Sequence, residues 1–420
     1  MADYATKPLD GIRVADLTMM WAGPYAAKLL ADYGADVVKI EAPKQWDNIR
    51  TLFPPDQITE QWFNSGAYFQ EFSRNKRGLS LDLKQPRGKE LLGRLIAQSD
   101  VVIENYRTEV MDSLGLTEEW LRAQRPDLVI VSMAGFGKTG PESLSMGYGP
   151  IIEQMSGLAS LSGYGDGIPF KSGISYGDPI AGIAAAAAAV TGLIRRHRTG
   201  QGMTVDLSQR EIVTSLIGEA FALWSMNQRL QPHLGNRHEW MAPHNAYPCR
   251  GEDQWVAISV ANDAQWAGLV AAMDDPAWAA DEASADQASR WAHRDDLDER
   301  IAAWTQARTK EDVFAACRAH DVPCGPVWNS TDLLADEQLN ARGYYEPIKD
   351  PDHAAWMTHG WVWRWTNSGP CILAAAPNFG QHTREILTEL LGVDESELPA
   401  LAQAGIIADA PVDPPIVSVL

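Results

Sequence analysis

Short runs of apolar, mostly β-branched residues alternate with amphipathic stretches through the first half of the chain. "IRVADLT" (12–18) reads as a buried strand, "PYAAKLLADYGA" (24–35) as a helix and "DVVKIEA" (36–42) as a second strand. The rhythm returns with "GKELLGRLIAQS" (88–99) and "DVVIENY" (100–106), then with "EEWLRAQRP" (118–126) and "DLVIVSMAGFG" (127–137). Strand–helix–strand repetition predicts a parallel sheet with right-handed crossovers, an α/β domain of Rossmann-like type. Ligands of such sheets bind at the carboxyl ends of the strands. "ENYR" (104–107) and "MAGFGKTG" (133–140) fall at such ends.

A different pattern follows. "SGISYGDPIAGIAAAAAAVTGLIRRHR" (172–198) is a long alanine-rich helix closed by basic residues that suit its dipole. Asp178 is expected to be its N-cap, with Pro179 at the first helical position. The apolar run from Pro179 to Ile194 is 16 residues, shorter than the roughly 20 needed to span a bilayer. Beyond about residue 215 turn residues surround a strand, "WVAISV" (255–260), and an acidic, tryptophan-rich helical run extends to about 320. The tail from Phe379 predicts a helix over 381–391, a stop at Gly392 and a second short helix. The expected layout is a large domain over 1–215, a smaller α+β domain over 235–330, and a segment 340–420 returning to the large domain.

Composition narrows the function. Hydrophobic residues make up 45% and charged residues 21% of 420, the mix of an ordinary globular protein. The formal charge of −20, with no basic stretch interleaved with aromatics, argues against nucleic acid and anionic membrane surfaces. The N-terminus lacks an apolar signal core, which predicts a cytoplasmic location. The four cysteines form no CxxC and the nine histidines no HExxH, so neither disulfides nor a metal site are expected. No GxGxxG follows the first strand; "TMMWAGPYAA" (18–27) carries one glycine, Gly23, which weakens a nicotinamide-dependent reading.

Several stretches, in order, resemble the class III CoA-transferase family, the CaiB/BaiF or formyl-CoA transferase-like group. They are "PLDGIRVADLT" and "AGPYAAKLLADYGADVVKIE" (8–41), "NKRGLSLDLK" (75–84), "SDVVIENYR" (99–107), "GFGKTGP" (135–141), "SGLASLSGYGDGIPFKSGISYGDPIAG" (156–182), "RTGQGMTVDLSQRE" (198–211), "VPCGPV" (322–327) and "GQHTREIL" (380–387). The resemblance implies a Rossmann-like large domain, a smaller domain, and two subunits interlocked as a homodimer. It implies acyl-CoA and a free carboxylic acid as substrates, with no permanently bound cofactor. "WAGPYAAKLLADYGADVVKIE" with "GISYGDP" looks like the branch containing succinyl-CoA:benzylsuccinate transferases, which implies succinyl-CoA as donor and a bulky or aromatic acid as acceptor.

By the same resemblance Asp178 is the nucleophile. An N-cap position would expose its carboxylate at a positive helix end, so capping and catalysis are compatible, and the amides of Gly173 and Gly177 are candidates to hold an oxyanion. Leu81, Asp82, Leu83, Lys84, Asn105, Tyr106 and Arg107 are implied at the CoA site, with Lys84 on phosphate. Trp21, Tyr148, Gly177 and His244 are implied at the acyl pocket, and Trp46 and Trp62 suit such a pocket or the core. Three positions depart from the pattern. Ala42 and Ser113 stand where arginine is usual, leaving Arg74, Lys76, Arg77 and Arg107 as candidate substitutes. Gly149 stands where an acid is usual; Glu153, one helical turn on, is either a catalytic carboxylate or a packing or surface residue. Two alternatives remain open. One is an α-methylacyl-CoA racemase of the same superfamily, which Gly147-Tyr148-Gly149 in place of a His-containing motif disfavours. The other is a nucleotide-binding Rossmann protein without transferase activity.

Overall fold

A computed structural model describes residues 7–53, 61–165, 167–350, 353–365 and 369–412. The chain divides into two units, the first made of 1–159, 171–228 and 342–420, the second of 160–170 and 229–341. The first unit thus runs past 215 to Gln228, and a short piece preceding the alanine-rich helix folds with the second.

Six strands build the sheet of the first unit: β1 (Arg13–Asp16), β2 (Asp36–Glu41), β3 (Lys76–Ser80), β4 (Val101–Glu104), β5 (Val129–Ser132) and β6 (Met203–Asp206). All neighbours pair in parallel, in the order β3-β2-β1-β4-β5-β6. This is the doubly wound order whose switch point lies between β1 and β4. The apolar runs predicted at 12–18, 36–42, 100–106 and 127–137 supply β1, β2, β4 and β5. Strands β3 and β6 are less apolar and do not stand out by pattern.

One face of the sheet is covered by helix α1 (Ala22–Asp32) and the 23-residue α3 (Gly177–Thr199), a turn and more longer than its apolar run suggests. Helix α2 is Gly149–Met155 and helix α4 is Gly218–Asn227. Helix α3 is long and apolar enough to cross a membrane by length and composition, and 44% of that apolar window is buried, on one face. Ala181, Ala185 and Ala189, four apart, are fully buried against α1 and the sheet. Gly182 and Gly192 on the same helix explain why its residues are small. An added Cβ would lie 2.7 Å from the Ala22 carbonyl oxygen at Gly182, and 2.5 Å from Val129 Cγ1 at Gly192.

The opposite face carries Leu91, Leu95, Leu121 and, from the C-terminal segment, Ile386, Leu387, Leu401 and Ile406. The "GQHTREIL" stretch seals the sheet edge: Gly78 N–H donates to His382 Nδ1 (3.1 Å) and Ser80 N–H to Thr383 Oγ1 (3.0 Å). The predicted helix over 381–391 begins as Thr383–Glu385 and continues as a π-turn over Ile386–Leu390.

The second unit holds an antiparallel sheet of β7 (His244–Pro248), β8 (Trp255–Ser259) and β9 (Cys324–Pro326). Its core joins Tyr247, Val256 and Ile258 to Trp266, Leu269, Ile301, Val313 and Cys317 from the helical run.

Candidate active site

The chain leaves β1 through Thr18, Met19, Met20 and Trp21 before entering α1, and this turn is held from three sides. Asn105, at the end of β4, accepts from Met19 N–H (2.8 Å) and donates to the Met19 carbonyl (2.8 Å). Met20 has φ +66°, the left-handed region, and its N–H donates to Asp47 Oδ1 (2.8 Å). Lys39, fully buried, links Asp47 (2.7 Å) to the Thr18 carbonyl (3.0 Å). Gly23 is required there: a Cβ would stand 2.4 Å from Thr18 Cβ and 2.8 Å from Asn105 Cγ.

Asp178 meets α1 just past this turn. It is the second residue of α3, not its N-cap; Tyr176 takes that position and makes no side-chain cap. The Asp178 carboxylate instead faces the backbone amide of Ala22, the first residue of α1, which favours its charged form. The close crossing allowed at Gly182 brings that foreign helix start to the carboxylate, so the positive helix end it uses is that of α1 as well as its own. Burial nevertheless dominates and pushes the Asp178 carboxyl up to about 7, with the Ala22 amide opposing. Near neutral pH both protonation states are populated.

Helix α2 forms the floor. Gly149, Ile152 and Glu153 share one face, and each meets a different part of segment 172–178. A Cβ on Gly149 would lie 1.8 Å from Asp178 Oδ2 and 2.6 Å from Ser175 Cβ. No side chain fits at Gly149 in this arrangement, because the Asp178 carboxylate fills that space. A Cβ on Gly177 would stand 3.4 Å from Ile152 Cγ2 and 3.3 Å from Val213 Cγ2, and Gly177 is itself buried. Glu153 is 1% exposed, so it is no surface residue, and its carboxyl bonds the main chain and side chain of Ser172. Tyr148, just ahead of α2, leaves its ring 67% exposed.

Met19 on the other side of the β1 turn lines a cavity of about 540 Å³ at the strand ends. Leu81, Asp82, Leu83, Lys84 and Tyr106 line it, and so do Ala42 and Ser113, the two departures from the family's arginines. Asn105 and Arg107 lie beside it and not in its wall: Asn105 is spent on the turn, and Arg107 is exposed and pairs with Glu109 (3.2 Å). The candidate substitute cations at 74, 76 and 77 are engaged elsewhere. Arg74 is buried on Asp32 (2.9 Å), Lys76 on Asp16 (2.9 Å), and Arg77 binds Asp36 (2.6 Å) and Glu385 (3.0 Å). Burial lowers Lys76 to about 8 despite Asp16.

Sequence reasoning missed Lys44. It lines the cavity two residues after Ala42, is exposed, and like Lys84 has no ion pair among the described residues. Its signal was its place in "EAPKQWDN", directly after β2.

Trp21 stacks on Phe72 (ring centroids 5.4 Å apart) and tilts against Tyr68 (5.2 Å), giving an aromatic wall that starts one residue from the Ala22 amide. Trp46 and Trp62 are buried with Phe63 and Phe379, although Trp46 also reaches the cavity. His244 belongs to the second unit, where its Nδ1 bonds the Asn236 carbonyl oxygen (2.8 Å) and it lines a separate cavity of about 460 Å³ with Ser259 and Cys324. Among the described residues no group of three or more His, Cys, Asp or Glu is arranged to hold a metal.

Comparison with known proteins places this geometry in context. Residues 9–383 match the sequence profile of CoA-transferase family III. The chain is 33% identical over 401 residues to the succinyl-CoA–D-citramalate CoA-transferase of Chloroflexus aurantiacus, covering 96% of this chain and 98% of that protein. It is 33% identical over 401 residues to the succinate–glutarate CoA-transferase of Agrobacterium fabrum, covering 93% and 98%. A crystal structure of a CaiB/BaiF family protein from Brucella suis superposes with a TM-score of 0.83 at 31% identity, covering 92% of this chain and all of that one.

Proposed function

The chain belongs to CoA-transferase family III, and on that premise we propose that it moves coenzyme A from an acyl-CoA donor to a free carboxylic acid by covalent relay through Asp178. The observation that carries this reading is the Asp178 carboxylate, seated over Gly149 and facing the Ala22 amide, three residues along the chain from the cavity-lining Met19.

The relay balances at every step. A carboxylate oxygen of Asp178 adds to the thioester carbonyl; the C–S bond breaks and CoA leaves as thiolate, giving an acyl–aspartyl anhydride. The thiolate adds to the aspartyl carbonyl and expels the donor acid as carboxylate, leaving an aspartyl-CoA thioester. The acceptor carboxylate attacks that carbonyl and again releases thiolate. Attack of the thiolate on the acceptor's acyl carbon then yields the new acyl-CoA and restores Asp178. Each step exchanges one activated acyl bond for another, so no outside energy source is needed.

Two relatives named for succinyl-CoA or succinate support succinyl-CoA as donor. The Trp21–Tyr68–Phe72 wall supports an acceptor with an apolar body. Incubation with succinyl-CoA and a panel of acyl-CoAs, then hydroxylamine and peptide mass spectrometry, tests the reading. A hydroxamate on the Asp178 peptide, dependent on acyl-CoA, is the expected result. No label from any donor, together with exchange of the α-proton in deuterated water, overturns it in favour of an epimerase.

Lys44 and Lys84 are the cations we assign to the CoA phosphates. Changing both to alanine is expected to raise the KM for acyl-CoA by about thirtyfold, the loss of roughly 2 kcal/mol of charged hydrogen bonding, while kcat changes less than about twofold. An unchanged KM removes both residues from the phosphate site.

A homodimer is part of the same proposal. Helix α4 is apolar yet buries none of its residues; Phe221, Trp224 and Met226 are 50%, 47% and 80% exposed, and Ile183 and Ile194 of α3 are 49% and 48% exposed. Apolar surface of this kind fits a second copy of the same chain. Light scattering is expected to give twice the chain mass of 46.1 kDa, and a stable monomer at micromolar concentration would overturn the assignment.

A further inference from the structure

We infer that Glu153 is a positioning residue for the nucleophile, fixing the segment 172–177 so that Asp178 is presented over Gly149. This rests on the proposed role of Asp178 and goes beyond it. The position is four residues past Gly149, and no acid at Gly149 shares the task.

Segment 172–178 has little of its own to hold it. Tyr176 N–H donates to the Ile174 carbonyl (3.0 Å) and Asp178 N–H to the Ser175 carbonyl (3.0 Å), both within the segment. Gly173 and Ile174 are exposed, and a Cβ at Gly173 would meet nothing within 4 Å. A turn of that kind samples many conformers unless tied down. Helix α2 meets it along one face: the backbone at Gly149 lies close to Asp178 and Ser175, Ile152 lies beside Gly177, and Glu153 bonds Ser172.

The Glu153 tie is the polar one. Its Oε1 accepts from Ser172 N–H (2.5 Å) and its Oε2 faces Ser172 Oγ (2.8 Å), while the same hydroxyl reaches the Ile174 carbonyl (2.5 Å). A carboxyl 1% exposed and spent on a loop backbone is committed to that loop. It holds the segment's first residue, while Gly149 and Ile152 lie against its last ones. Loss of the tie frees one end of the segment, and the carboxylate over Gly149 then loses its fixed approach to the thioester. Misplacement on the order of 1 Å costs about a hundredfold in rate.

Glutamine at 153 keeps the tie. Its carbonyl accepts from Ser172 N–H, and its amide donates to Ser172 Oγ, whose hydrogen passes to the Ile174 carbonyl. Alanine keeps neither contact. The test measures hydroxylamine-trapped loading of the full-length enzyme by succinyl-CoA, with KM and loading rate separated. Glu153→Ala is expected to slow loading about a hundredfold with KM for acyl-CoA within twofold, and Glu153→Gln to stay within about threefold of the parent enzyme. Loading of Glu153→Ala at the parental rate overturns the inference. So does a Glu153→Gln variant as slow as alanine, which would make the carboxyl a reacting group and not a tie. If Glu153→Ala does not fold, Ser172→Ala replaces it, with loading about tenfold slower expected and an unchanged rate counting against the inference. Absence of any Asp178 hydroxamate in the parent enzyme overturns the premise itself, an outcome distinct from all of these.

Discussion

Asp178→Asn is expected to abolish CoA transfer, with a fall of at least about 10⁴-fold and no hydroxamate on the 178 peptide after acyl-CoA and hydroxylamine. Asparagine keeps the size of the side chain and can still present an oxygen to the Ala22 amide, so the fold is expected to survive. Its amide oxygen cannot form an anhydride with the donor acyl group. The pH dependence of the parent enzyme belongs to the same argument. Burial raises the Asp178 carboxyl to about 7, so loading should climb about tenfold per pH unit below 7 and level off above it. Stability carries the opposite sign. The unfolded aspartate titrates near ~3.9, so between about pH 4 and 7 the native state binds the extra proton and loses stability as pH rises. Asparagine has no such titration. At pH 8 the variant should therefore melt higher than the parent, and the gap should shrink as pH falls and close only near about pH 4. Loading already at its plateau at pH 5, or equal melting temperatures at pH 8, would show that the carboxylate is not desolvated as described.

Gly149→Ala is the second large effect. The new methyl would stand 1.8 Å from Asp178 Oδ2 and 2.6 Å from Ser175 Cβ, well inside contact distance. The segment leading into α3 has little slack there, because Glu153 bonds its first residue, Ser172, to α2. The carboxylate must turn away from the Ala22 amide or the segment must shift. Either displacement is expected to lower kcat by about 10²- to 10³-fold. The affinity for CoA should hold, since Leu81 to Lys84 lie at the end of another strand. Gly325→Ala, in β9 of the second unit, is the matched control: its Cβ meets nothing within 4 Å, and activity within about twofold is expected. Equal behaviour of the two variants in steady-state kinetics would mean that the contact at Gly149 does not constrain the nucleophile.

Much of this was legible in the chain. The apolar runs of β1, β2, β4 and β5 are buried on both faces, and such strands write themselves as continuous Val and Ile. Helix α3 declares its buried face through alanines four apart, and the family motifs pick out Asp178 and the cavity stretch Leu81 to Lys84. The edge strand β3 and the end strand β6 escaped notice because their burial is completed by the C-terminal segment or left partial. The chain also announced Gly149, Ala42 and Ser113 as departures, without saying what each one meant.

Tertiary structure alone decided those meanings. The partner of Asp178 is an amide at the start of α1, far upstream, and only the close crossing at Gly182 brings it within reach. Which cations are free is likewise a three-dimensional question. Arg74, Lys76 and Arg77 read as candidates in one dimension, yet each is consumed by an aspartate from another strand or helix, which leaves Lys44 and Lys84 at the cavity. Periodicity records burial because burial acts on every residue of an element in the same repeating way. Desolvation, ion pairing and close approach depend on single distances between distant elements, and a local pattern carries no trace of them.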